Sequence, residues 1–132
     1  SSTILGWNDN LNKNSGHSPK HKGIYNADDL RRLYDYCKAL EKGENPDETM
    51  IENLYSVKKD ENGNEIKVIR LYNDINLKDY NLYMAWIPWW TMHNFIFDGM
   101  GHNIVSHSDP FFVTDSKPDN IKNFYQNGEK YQ

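Results

Sequence analysis

Cysteine is all but missing from this chain. Cys37 stands alone, so no disulfide can close within it. That poverty suits a cytosolic, a phage or a secreted bacterial protein equally. Long apolar runs are missing too. The most apolar window, Tyr83 to Phe97, is about 15 residues long and contains Pro88, His93 and Asn94; it is too short and too polar to cross a bilayer. Positive charge is not in excess: 15 Lys and Arg face 19 Asp and Glu, for a net charge of −4. Such a chain has no electrostatic hold on a phosphate backbone, which excludes nucleic acid as an expected partner. No signal-like apolar run follows Ser1-Ser2-Thr3, which leaves Met removal, cleavage of a precursor and excision of a fragment all open. Apolar residues make up only 37% of the 132 residues, little for a self-sufficient globule, and the length fits one domain with a single modest core.

Catalytic and metal-binding signatures are equally scarce. There is no HExxH helix, no cysteine-bearing zinc pattern and no GxSxG elbow. His17 and His21 have i,i+4 spacing but sit in a Pro- and Gly-containing arm, and His102 and His107 lie near Asp109 without a ligand pattern. Asp60-Glu61-Asn62-Gly63-Asn64 superficially looks like a calcium loop. The EF-hand requires glycine at position six and glutamate at position twelve, where this chain has Glu65 and Leu71. Asp98-Gly99-Met100-Gly101-His102 reads either as an acid–base or metal pair of Asp98 and His102, or as a tight corner whose glycines permit the bend. The corner is the favoured reading. Cys37, between Tyr34 and Leu40 on an apolar face, reads as a buried small hydrophobe. No catalytic residue, metal or cofactor is expected, and the chain is not expected to be an enzyme.

What the sequence does hold is aromatic side chains and corner residues. Nine Tyr, four Trp and five Phe bring aromatics to 14%. Residues 1–22 read as an extended polar arm, anchored at most by Ile4, Leu5, Trp7 and Leu11, and residues 23–132 as a single helix-capped β domain. Asn26 to Lys42 is the clearest helix. Asn26 is an N-cap, Asp28 and Asp29 face the positive end, and Gly43 and Pro46 end it. Leu30, Leu33, Tyr34, Cys37 and Leu40 share one face. Glu44 to Met50 is a loop. Ile51–Lys59 and Glu65–Tyr72 flank an Asn-Gly turn, a hairpin signal. From Asn73 onward, short apolar runs alternate with Asn, Asp, Gly and Pro. The expected strands are Ile75 and Leu77, Ala85 to Ile87, Phe95 to Phe97, Ile104-Val105, Phe111 to Val113 and Ile121 to Tyr125. The tail from Gln126 is polar. No internal repeat of fixed period is present.

The layout of residues 24–105 resembles the opening of right-handed β-helix proteins of the pectin-lyase-like type, above all surface and adhesin proteins that carry GLUG-type repeats. An "I-x-x-A-x-D-L" entry is matched by Ile24, Ala27, Asp29 and Leu30. An "N-D-I-x-L" corner is matched by Asn73 to Leu77, "W-x-P" by Trp86-Ile87-Pro88, and "F-D-G-x-G-H-x-I" by Phe97 to Ile104. The family usually continues the Pro with Ile-Gly, where this chain has Trp89-Trp90, and no GLUG repeat follows Ile104. The resemblance implies a mainly β fold with one N-terminal amphipathic α-helix: a short or truncated right-handed β-helix with the helix as end cap.

The implied function is a non-enzymatic structural or attachment module of a bacterial surface or a phage particle, located at the cell surface, outside the cell or on the virion. An open coil end favours self-association, with a trimer as the candidate state. The alternative is a carbohydrate-binding module. Flat rings stack on sugars, and Tyr83, Trp86, Trp89, Trp90 and His93 form the cluster that invites it. If the segment were a strand, Trp86, Pro88 and Trp90 would face one way and Trp89 the other, so that one set is core and the other exposed or at an interface. A second alternative is a fragment of a polysaccharide-active β-helix enzyme, although this chain is short for the clusters of charged residues on successive rungs that such enzymes need. The expected partners are further copies of the chain and a glycan or cell-surface receptor.

Overall fold

A computed structural model of the chain describes residues 21–80, 87–106, 112–113 and 119–131. Among them, one α-helix and short strands in three small sheets make a mixed α/β arrangement. Residues 1–20 of the expected polar arm, 1–22, lie outside the described residues.

Helix α1 (Ala27–Glu41) begins where the sequence dictates. The Asn26 side chain accepts the Asp29 amide at 3.0 Å, and Asp29 accepts the Tyr25 amide at 2.7 Å. The two side chains thus cap the first turn reciprocally. Asp29 is fully buried and is neutralised by the Arg32 guanidinium at 2.8 Å, so the first-turn acids are packed as well as aligned with the helix dipole. Gly43, with φ +80°, closes the other end: its amide reaches the Leu40 carbonyl, and the Glu44 amide reaches Ala39. The buried stripe is Ala27, Leu30, Leu33, Tyr36 and Cys37, while Tyr34 and Leu40 are only partly covered. The stripe is therefore rotated slightly from the expected one. It packs on the short strand Ile87–Pro88, on the 3-10 turn Glu48–Ile51 and on the 3-10 turn Trp89–Thr91.

Strands β1 (Tyr55–Lys59) and β2 (Glu65–Arg70) form the expected hairpin. Asp60 accepts the amides of Asn62 and Asn64 at 2.8 and 2.9 Å, and Gly63 takes the left-handed conformation that the bend requires. The residues before Tyr55 form the 3-10 turn instead of extending β1.

From β2 onward every pairing between successive passes of the chain is parallel. The strands are β3 (Ile75–Asn76), β4 (Ile87–Pro88), β5 (Phe95–Asp98), β6 (Asn103–Val105), β7 (Phe112–Val113), β8 (Ile121–Lys122) and β9 (Tyr125–Gln126). β2 pairs with β5 and β5 with β8; β3 pairs with β6 and β6 with β9; β4 pairs with β7. The chain thus visits the same three ladders in the same order. Like residues stack in register: Ile69 on Phe97 on Ile121, and Ile75 on Ile104. An isolated parallel bridge places Ile24 beside Leu71. All of these side chains are buried, and they form one core with Trp89 and Phe124.

Asn and Asp stitch the corners from one pass to the next. Asn73 donates to the Tyr25 carbonyl, Asp74 accepts the Asn103 amide, Asp98 accepts from Asn123 Nδ2, and Asn103 accepts the Gly128 amide, all between 2.9 and 3.1 Å. The polar tail folds as well. Asn127-Gly128, with φ +51° and +84°, turns β9 into an antiparallel β10 (Glu129–Lys130) on the sheet edge. Tyr131 follows, its amide on the Phe124 carbonyl at 2.9 Å and its ring 5.8 Å from that of Phe124.

Candidate functional site

The aromatic cluster separates sharply. After Pro88 the chain enters a 3-10 turn, Trp89–Thr91, and not a strand, so the two-sided alternation expected of Trp86 to Trp90 does not apply. Pro88 and Trp89 are both buried. Trp89 is 1% exposed and meets Phe97 edge-on, at 5.8 Å and 77°. Phe97 in turn meets Phe124 at 5.4 Å and 89°. Trp89 is thus a core residue, and a sugar has no access to its ring. Trp90 points outward at 45% exposure, and His93 is exposed. Tyr83 and Trp86 lie outside the described residues.

His93 opens onto a cleft of about 550 Å³ beside the turn between β1 and β2. One wall is Asp60, Asn64 and Glu65; the other is His93, Asn94 and Asn120. The floor is apolar and comes from β2 and β5. Trp90 is not among the lining residues. The parallel pairing of β2 with β5 creates this juxtaposition, for it sets Lys67 opposite Phe95 and so brings the starts of the two strands together. Sequence reading found His93 but not its companions. Each is an ordinary turn residue in isolation, and the Asp60–Asn64 segment, weighed as a calcium loop, reads as a hairpin turn.

The Asp98–His102 segment is a corner. Asp98 Oδ1 accepts the Met100 amide at 2.9 Å and Asn123 Nδ2 at 3.1 Å. Met100 and Gly101 both take positive φ. His102 turns away from Asp98 and places Nδ1 3.0 Å from Asp74 Oδ1. The hydrogen bond from the Asn103 amide, and then that from the His102 ring, hold the Asp74 carboxyl below its ordinary range. Asp98 and His102 are thus held by structural partners and do not form an acid–base pair.

Cys37 is fully buried, and burial pushes its thiol up to about 12. At neutral pH it is a thiol and not a nucleophile. Among the described residues, no three His, Cys, Asp or Glu side chains are placed to hold a metal ion, and no helix is long and apolar enough to cross a membrane.

No family model, no curated protein and no solved structure matches this chain.

Proposed function

We propose that this protein is a non-enzymatic structural or attachment module, built as a short right-handed β-helix with α1 as its end cap. The observation that carries this reading is the cyclic pairing order. β2, β3 and β4 are each followed by a parallel partner, β5, β6 and β7, in the same sequence. A chain that returns to three ladders in turn winds about an axis, and the Asn and Asp corners bond along that axis. α1 packs on β4, in the rung formed first. The resemblance to capped surface and adhesin β-helices points the same way, and with it to a location at the cell surface, outside the cell or on a phage particle.

Self-association follows from the edges. Among the described residues β8 pairs only with β5, and β7 only with β4. Strand edges of this kind recruit further strands, and a second copy of the chain is the partner at hand. Sedimentation velocity tests this. The expected result is a discrete oligomer, a trimer above all, at tens of micromolar; a monodisperse monomer there would overturn it.

A further inference from the structure

We propose that the cleft beside the Asp60–Asn64 turn binds a short, uncharged glycan. Its volume, about 550 Å³, falls within the range of small-ligand sites, roughly 300–1,000 Å³. The proposal deepens the attachment reading by naming what is held, but occupancy of the cleft does not depend on self-association.

The polar groups of the cleft fall into two sets. Asp60 and Asn120 are pinned by the fold: Asp60 Oδ1 accepts two turn amides, and Asn120 Nδ2 donates to the Phe95 carbonyl at 2.9 Å. The side chains of Asn64, Glu65, His93 and Asn94 have no hydrogen bond or ion pair with any other described residue. Four polar side chains without partners among the described residues thus line one concave surface. Two carboxamides, each with donors and an acceptor, an imidazole with one of each, and a carboxylate with acceptors make the mixed set that paired sugar hydroxyls require.

The charge of the lining narrows the ligand. Two carboxylates, Asp60 and Glu65, line the cleft, and among the described residues no Lys or Arg does. Phosphorylated, sulfated and uronic sugars are therefore repelled. The floor supplies the remaining need. Ile66 and Ile96, both half-buried and both lining the cleft, offer an apolar patch to the C–H face of a pyranose.

The test is an amide chemical-shift titration of the full chain with cellotetraose, mannotetraose and chitotetraose, and with tetragalacturonate as the acidic control. At least one neutral probe should shift the amides of residues 64–66 and 93–96 at concentrations up to about 10 mM, and tetragalacturonate should not. Glu65→Ala combined with Asn94→Ala removes two exposed side chains that hold nothing in the fold. This variant should keep the wild-type spectrum elsewhere and lose at least about tenfold in affinity. Absence of shifts with every neutral probe, equal binding of the uronate, or full binding by the double variant would each overturn the proposal. Sedimentation of the same samples keeps the two readings apart. A monomer whose cleft binds refutes self-association alone, and an oligomer whose cleft stays empty refutes the glycan site alone.

Discussion

Gly99 lies so close to Asn123 that a Cβ on Gly99 would meet the Asn123 carbonyl oxygen at 2.5 Å and the Phe124 Cα at 2.6 Å. The contact is between two successive corners of the chain. The Gly99 amide bonds the Lys122 carbonyl and the Gly101 amide bonds Asn123, both at 2.8 Å. Backbone therefore stacks on backbone here, and any side chain at 99 would part the layers.

Gly99→Ala should destabilise the fold by about 1–3 kcal/mol, as overpacking against rigid atoms does. Gly101 makes the contrast. It needs positive φ but has open space around its Cβ position, and asparagine enters that conformation readily. Gly101→Asn should be close to neutral. Urea unfolding of both variants checks the pair, and equal losses would show that the corners are not in close contact.

The Asp74 corner sets a dependence on acid. Its carboxyl is held below the ordinary range in the folded chain, while in the unfolded chain it titrates near about 3.9. The unfolded state therefore binds the proton first as pH falls. The stability contributed by the Asn103 and His102 hydrogen bonds is complete above the unfolded value and is lost as pH falls through the folded one. Asp74→Asn should flatten the decline of Tm between about pH 5 and pH 2. Thermal melts across that range measure it. An unchanged slope would mean that the carboxylate contributes nothing that titrates.

Trp89 and Trp90 are neighbours with opposite duties. Trp89→Ala empties a site in the core against Phe97 and should cost about 3–5 kcal/mol. Trp90→Ala, at a side chain 45% exposed, should stay within about 0.5 kcal/mol. Denaturant midpoints of the two variants decide it. Similar losses would place both rings in the core.

Local signals in the sequence were reliable where the cause was local. Asn26, Asp29 and Gly43 fix the ends of α1 through bonds made within a few residues of themselves, and Asp60 and Gly63 do the same for the first turn. The apolar runs after Asn73 marked nearly every strand. Asn127-Gly128 is as strong a hairpin signal as Asn62-Gly63, but the polar residues around it give β10 no apolar pattern of its own. Asn123, with φ +55°, splits what read as one strand into β8 and β9.

The sequence by itself determined where the chain bends and which short runs are strand or helix, because capping, left-handed φ and side-chain spacing act over a few residues. Only the tertiary structure decided which ring of Trp89-Trp90 is interior, that His102 answers to Asp74 and not to Asp98, and that His93 shares a cleft with Asn64 and Glu65. Each depends on the parallel register of distant strands. That register is set by stacking Ile69 on Phe97 on Ile121, a choice made by burial across the whole core and by no neighbouring residue.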